Sequence, residues 1–365
     1  MSSLSPLRLL IVDDSRIFRS AVQDALQGRA DVKVVGSVWS GEKALEFIRE
    51  SPPDLVTLDV NMPGQGGLET LRLIQEFNQS RSGIRPIGVL LVSALTSRGA
   101  LTTIEGLQGG AFDFIRKPDG PDESENQAQL QQALLEKIEL YFQRMGFRSP
   151  KSSPASLTPV PKPEPKPAGR YSVLAIGSST GGPEALARVL PEVTRKCRCP
   201  IFIVQHLPAG MTGYFAESLA NKCSYQVHEA KDDQLVEDNT IYIAPGGKHM
   251  VLRKQDGRVL IALNDLPPEN GCRPSVDVFF RSVGSIYPQS VVAIVLTGMG
   301  TDGAKGLAPL KRNGAYVIAQ DEATSVVWGM PGAAVATNLV DEILPVDRIG
   351  PAVVKLLAAR AKPCN

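Results

Sequence analysis

The chain is poor in cysteine and in long apolar runs, and it carries no excess charge of either sign. Its 365 residues include five cysteines, Cys197, Cys199, Cys223, Cys272 and Cys364. An odd, sparse set in a chain of this size is no disulfide framework, so a reducing, cytoplasmic setting is expected. The Cys197/Cys199 pair hints at metal binding, but without clear partners it reads as a plain reduced segment. No apolar run approaches the ~20 residues of a membrane helix, and no membrane insertion is expected. The first apolar run, Leu9 to Val12, stops at Asp13 and Asp14, too short and too acidic for a secretory signal. With 39 basic and 38 acidic residues the net charge is +1, which excludes binding driven by bulk basicity; nucleic acid is not an expected partner. Histidine is also scarce, with His206, His228 and His249 as the whole set.

What is abundant is locally concentrated proline. Pro150, Pro154, Pro159, Pro161, Pro163, Pro165 and Pro167 are interleaved with Ser and Lys. Such a stretch builds neither core nor ladder and reads as an extended linker. The expected organisation is a domain over residues 1–146, a linker over 147–170 and a second domain over 171–365. In the first domain, strand patterns at Leu7–Val12, Lys33–Val38, Leu55–Val60, Ile87–Val92 and Phe112–Arg116 alternate with helical ones, and Ser15 reads as an N-cap. Five strands alternating with helices predict a flavodoxin-like (βα)5 parallel sheet covered on both faces. The second domain repeats this pattern. Its strand candidates are Val173–Ile176, Ile201–Val204, Val227–Glu229, Ile241–Ala244, Val259–Leu263, Val291–Thr297, Tyr316–Ala319 and Glu342–Pro345. A second doubly wound, mostly parallel α/β domain is expected, with a small hairpin between Ile241 and Leu263.

In such sheets ligands sit beyond the carboxyl ends of the strands. In the first domain those ends carry Asp13 and Asp14, Asp59, Ser93 and Lys117. Converging carboxylates repel unless a cation sits among them, and Mg²⁺ suits an open oxygen site. A carboxylate beside Mg²⁺, a lysine and a hydroxyl is able to accept a phosphoryl group, because metal and ammonium offset the developing charge.

In the second domain a strand runs into Gly177-Ser178-Ser179-Thr180-Gly181, a Gly-x-Ser-x-Gly turn that presents Ser179 as a nucleophile. The base candidates are the three histidines. His206 and Asp302 each follow an apolar strand, as Ser179 does, so the three can meet at one sheet edge. An α/β-hydrolase arrangement would instead pair Ser179 with Asp232 or Asp233 and His249. Gly298-x-Gly300-x-x-Gly303 after a strand, with Asp321 and Glu322 downstream, also matches a dinucleotide fingerprint and raises an NAD-binding dehydrogenase. It sits too late in the chain for a second mononucleotide half.

Leu-Ile-Val-Asp13-Asp14-Ser, Leu-Asp59-Val-Asn-Met-Pro, Ser93-Ala and Lys117-Pro118 resemble a response-regulator receiver domain over residues 7 to about 125. Ile-Gly177-Ser-Ser179-Thr-Gly-Gly, Val-Gln205-His206-Leu-Pro, Ala-Pro245-Gly-Gly-Lys-His249, Leu-Thr-Gly-Met299-Gly-Thr-Asp302-Gly and Gly329-Met330-Pro331 resemble the chemotaxis protein-glutamate methylesterase (CheB) family from about Ser172 to Leu357. The first resemblance implies phosphorylation of Asp59. Mg²⁺ would be held by Asp14, Asp59 and the Asn61 carbonyl, with Asp13 acting through water. Ser93 and Lys117 would sense the phosphate. The second implies Ser179 as nucleophile, His206 as general acid/base and Asp302 as the orienting acid, with no cofactor at that site. For the oxyanion, the Met299 N–H with Thr180 nearby is the nominee. Methylated cytoplasmic domains of chemoreceptors would be the substrates, a CheA-type histidine kinase the phosphodonor, and receptor glutamine deamidation a second activity. The unphosphorylated receiver would cover the esterase site. The alternative from another class is a receiver-controlled scaffold with an inactive esterase domain. Two departures stand out: Gly66-Gly67 where the receiver family commonly has Asp-Gly, and Trp328 where Phe is more usual.

Overall fold

The computed structural model describes residues 5–81, 85–94, 96–145 and 171–358. The expected linker and Cys364 lie outside the described residues. The chain divides into two compact units, Met1–Ser149 and Pro150–Asn365.

In the first unit β1 (Leu7–Val12), β2 (Val32–Val38), β3 (Leu55–Asp59), β4 (Gly88–Ser93) and β5 (Asp113–Arg116) form one parallel sheet in the order β2-β1-β3-β4-β5. The central strands β3 and β4 are buried along their whole length, as a sheet covered on both faces requires. Helices α1 (Arg16–Ala25), α2 (Gly41–Glu50), α3 (Gly67–Gln79), α4 (Ser97–Gln108) and α5 (Glu123–Arg144) connect and follow the strands. Ser15 caps α1 as its sequence position predicts, its hydroxyl accepting from the Phe18 N–H. Helix α5 begins well before the apolar stripe at Leu130, because Asp122 caps it and Glu123 and Glu125 favour its positive end. The Gly66-Gly67 departure has a local consequence: Gly66 occupies the N-cap of α3 and supplies no capping side chain.

In the second unit β6 (Val173–Ser178), β7 (Ile201–Gln205), β8 (Gln226–Glu229), β9 (Thr240–Ile243), β10 (His249–Gln255), β11 (Arg258–Asn264), β12 (Val291–Val295), β13 (Tyr316–Gln320) and β14 (Glu342–Leu344) are the strands. Seven of them form a parallel sheet in the order β14-β13-β12-β6-β7-β9-β8. The remaining pair, β10 and β11, is an antiparallel hairpin. This corrects the expected hairpin: the Ile241 strand, β9, lies in the main sheet beside β7, and β11 pairs instead with β10, which the sequence pattern did not reveal. Strand β10 escapes notice because only its first half is buried; Arg253 is half-buried and Lys254 and Gln255 are exposed, although all three remain paired with β11. Helices α6 (Gly182–Lys196), α7 (Thr212–Ala220), α8 (Val276–Ile286), α9 (Leu307–Arg312), α10 (Met330–Ala336) and α11 (Val346–Ala358) complete the unit. Helix α8 packs on β6, β12 and the hairpin, with Val276, Phe279, Phe280 and Val283 fully buried. Strand order reverses between β6 and β12: the chain winds outward from β6 through β7 and β9, then returns to β12 on the other side. Such a switch point opens a crevice beyond the strand ends. Among the described residues no helix is long and apolar enough to cross a membrane.

Candidate functional site

The first unit gathers its charged residues where the strand pattern placed them. Asp59 ends β3, Ser93 ends β4, Lys117 follows β5, and Asp13 and Asp14 follow β1. Carboxylate oxygens of Asp13, Asp14 and Asp59 lie within 4.8 Å of one another. Lys117 Nζ stands 2.7 Å from Asp13 Oδ2 and 2.8 Å from Asp59 Oδ2. Burial disfavours its ammonium, but the two carboxylates outweigh burial and hold its pKa above the ordinary value. Burial raises the Asp13 carboxyl, with Asp59 adding to the effect, although Lys117 opposes it. Three carboxylates against one ammonium leave two negative charges in a largely buried spot, so the donor set fits a divalent cation with oxygen preference. The Asn61 N–H donates to Asp59 Oδ1 at 3.1 Å. The Ser93 hydroxyl donates to the Ala94 and Gly99 carbonyls at 3.2 and 3.3 Å.

In the second unit Ser179 follows β6, His206 follows β7 and Asp302 lies in the loop after β12. These three strands are consecutive in the sheet and flank the switch point. The turn at Ser179 is tightly tied. Its N–H donates to the Thr297 carbonyl (3.0 Å), and its carbonyl accepts from Gly182 N–H (2.8 Å) and Gln205 Nε2 (2.9 Å). Gly181, at φ 78°, supplies the left-handed residue that starts α6. Gly298 allows the loop after β12 to approach, since a Cβ there would stand 2.7 Å from Ser179 Cβ.

Asp302 is 1% exposed and accepts from many donors. Its Oδ1 takes hydrogen bonds from Ser275 Oγ (2.8 Å), Asn270 Nδ2 (3.0 Å) and the N–H groups of Asp277 (3.1 Å) and Gly303 (3.1 Å). Its Oδ2 takes the Val276 N–H at 2.7 Å and faces His206 Nε2 at 2.9 Å. Most of these donors belong to the N-terminus of α8, which favours an anion. Burial alone would raise the Asp302 carboxyl; His206 and the backbone donors outweigh it and bring it down to about 2. For His206 burial works against the charged ring, but Asp302 and then Cys272 push its pKa up to about 9.

The structure therefore joins His206 to Asp302 directly. It does not join Ser179 to His206 by a side-chain hydrogen bond; the His206 N–H donates to the carbonyl of the preceding serine, Ser178, at 3.0 Å. With Nε2 on Asp302, Nδ1 is the nitrogen left to receive a serine proton, and Cys272 Sγ stands 3.6 Å from it. The Met299 N–H makes no hydrogen bond among the described residues, and the residue is 43% exposed. Thr180 contributes its carbonyl to the Thr297 hydroxyl at 3.0 Å.

Two alternatives lose their geometry. His249 is buried with both nitrogens engaged, Nδ1 accepting from Ser275 N–H (3.2 Å) and Nε2 facing the Pro267 carbonyl (3.1 Å). Asp232 accepts from the Leu263 N–H at 2.8 Å and Asp233 pairs with Arg253 at 2.5 Å, so neither orients it. The glycine fingerprint at 298–303 is not followed at once by a helix: α9 begins at Leu307 and has six residues. Asp302, inside that fingerprint, is turned inward as an acceptor.

Sequence reasoning missed Asn270, Cys272, Ser275 and Gln205. The signal for Ser275 was present: a serine before a helix, with an acid two residues on. Gln205 ties the ends of β6 and β7 together, donating to the Ser179 and His206 carbonyls while Ser178 Oγ donates to its Oε1 at 2.7 Å. Trp328 also gains a place, its backbone forming a parallel bridge with Gly298 beside the Met299 loop.

A doubly wound sheet with a carboxylate–lysine cluster, joined in one chain to a doubly wound sheet with a serine, histidine and aspartate at its switch point, defines a receiver-linked hydrolase class. Residues 174–353 match the CheB methylesterase family and residues 9–129 the response regulator receiver domain family. A Desulfotalea psychrophila protein named protein-glutamate methylesterase/protein-glutamine glutaminase is 40% identical over 361 residues, covering 95% of this chain and 98% of that protein. A Nocardioides protein of the same name is 38% identical, covering 98% of this chain and 97% of its own. The crystal structure of the Thermotoga maritima CheB methylesterase catalytic domain matches with TM-score 0.50 and 38% identity, covering 51% of this chain and 98% of that one. The chain belongs to the CheB methylesterase family, in its receiver-linked form.

Proposed function

We propose that this chain hydrolyses glutamyl methyl esters on the cytoplasmic domains of chemoreceptors through an acyl-enzyme on Ser179, under control of Asp59 phosphorylation. The observation that carries this reading is the convergence of Ser179, His206 and Asp302 at three adjacent strand ends, with His206 Nε2 2.9 Å from Asp302. His206 Nδ1 takes the Ser179 proton as the hydroxyl attacks the ester carbonyl. The oxyanion accepts from the Met299 N–H, with Thr180 nearby. The ester C–O bond breaks and methanol leaves with the proton from His206. Water, deprotonated by His206, then releases the γ-carboxylate and restores the serine. A glutamine side chain enters the same sequence and loses ammonia. Asp302 keeps the imidazole oriented and stabilises its charged form. Methanol release from methylated receptor membranes by the native chain, set against Ser179→Ala, tests the whole scheme.

Because the free enzyme holds His206 up to about 9, kcat/KM should climb about one log unit per pH unit from pH 6 and level off near 9. A profile flat across that range would remove His206 as the base. The stability sign is opposite. The folded value lies above the ordinary ~6.5, so this ion pair contributes fully below that pH and is lost as pH rises through about 9.

In the receiver unit the carboxylate cluster fits Mg²⁺, which would be held by Asp14, Asp59 and the Asn61 carbonyl, with Asp13 acting through water; when bound it would neutralise charge on the phosphoryl oxygens. Asp59 accepts the phosphoryl group, Lys117 pairs with it and Ser93 turns toward it. A CheA-type histidine kinase is the phosphodonor. Domain limits of 1–146 and 171–365 with a tether over 147–170, and a cytoplasmic location, complete the reading. With acetyl phosphate and Mg²⁺ the native chain should speed up severalfold while Asp59→Ala stays at its basal rate. Equal stimulation of both would end the regulatory part of the proposal.

A further inference from the structure

Cys272 has no part in the scheme above, yet its sulfur stands against the nitrogen that the scheme uses. We propose that His206, Cys272 and Asp302 form a nitrogen–sulfur–oxygen site for a thiophilic divalent cation of the Zn²⁺ type, and that occupancy withdraws the imidazole from ester hydrolysis. The inhibitory consequence rests on the reading of His206 as the base; the binding does not.

One ligand atom from each of the three residues lies within 4.8 Å of the other two. Sγ is 3.6 Å from Nδ1, and Asp302 Oδ2 is 2.9 Å from Nε2. The edges of a tetrahedral zinc site with such donors are about 3.3–3.6 Å, from bond lengths of about 2.0–2.3 Å. For a single ring nitrogen to serve, the imidazole has to turn between its two partners, and the cation then takes the place of the His206–Oδ2 hydrogen bond. The remaining donors to Asp302, from Ser275, Val276, Asp277, Gly303 and Asn270, stay in place and keep the carboxylate fixed. His206 and Cys272 are each partly exposed, which gives a cation a way in.

Charge favours occupancy. A thiolate, a carboxylate and a neutral imidazole would present two negative charges to the cation. The two candidate cation sites also sort by chemistry. The receiver cluster of Asp13, Asp14 and Asp59 offers oxygen alone and suits hard cations, whereas sulfur with imidazole selects softer ones. These are the two such clusters among the described residues.

Co²⁺ is the probe, titrated into the full chain with excess Mg²⁺ present to fill the carboxylate cluster. A thiolate-to-cobalt charge-transfer band in the near-ultraviolet should grow to one equivalent and be abolished by Zn²⁺. It should be absent in Cys272→Ser and retained in Cys223→Ser. His206→Gln, which keeps the sulfur, should weaken the Co²⁺ affinity at least tenfold. In parallel, Zn²⁺ should inhibit methanol release by the native chain, EDTA should reverse this, and Cys272→Ser should need at least tenfold more Zn²⁺. No band in the native chain, or the same band in Cys272→Ser, overturns the site. A band with no inhibition keeps the site and overturns its proposed effect. The spectrum needs no turnover, so a failure of the esterase reading is seen separately.

Discussion

Ser179→Ala should lower methanol release from methylated receptor membranes by about 10⁴-fold or more, with acetyl phosphate and Mg²⁺ present in both assays. In the proposed scheme the Ser179 oxygen is the atom that becomes acylated, and the adjacent Ser178 hydroxyl is not placed to replace it, being buried and donating to Gln205 Oε1. The turn itself should survive the change, since the bonds that fix it run through the Ser179 backbone. Unchanged thermal unfolding would confirm that only the chemistry is lost. Equal release by the native chain and the variant would dismiss Ser179 as nucleophile. No release by either, with Asp59 demonstrably phosphorylated, would support a receiver-controlled scaffold instead.

Asp302→Ala should fail in two ways at once. Activity should drop by about 10⁴-fold, because the imidazole loses the partner that fixes its orientation. Stability should fall by about 3–5 kcal/mol, because the buried Ser275 hydroxyl, the Val276, Asp277 and Gly303 N–H groups and the Asn270 amide lose their common acceptor. Asp302→Asn separates the effects. It keeps one oxygen for the α8 donors but removes the charge, so the His206 titration followed by NMR should move down from about 9. A His206 titration that stays near 9 in Asp302→Asn would show that Asp302 is not what sustains the charged ring.

The two predictions differ in how much of their basis the sequence exposes. Ser179 announces itself, because a glycine-flanked serine after an all-apolar strand has few other conformations. His206 and Asp302 follow from the same rule, each placed just beyond an apolar strand. The receiver cluster is equally plain, since its five side chains end or follow strands in order. What surrounds Asp302 is different. Asn270, Ser275 and Asp277 reach it from a segment 25 to 32 positions away, brought there by packing α8 against β6 and β12. The local pattern marks Ser275 as a helix cap but does not signal the contact with Asp302. The β10 strand was hidden for a related reason: its outer half is solvated, so it lacks the continuous apolar run that marked the other strands.

The sequence by itself determined the two α/β units, most of their strands, the candidate reactive residues and the order in which strand ends present them. These depend on apolar periodicity, turn chemistry and residue type, all of which are local. The tertiary structure alone decided that the seven-stranded sheet reverses between β6 and β12, that Asp302 is held by a helix terminus, that His249 is a buried structural residue, and that Cys272 shares His206 with the site. Those outcomes depend on which distant segments pack together, and short-range pattern carries no record of that.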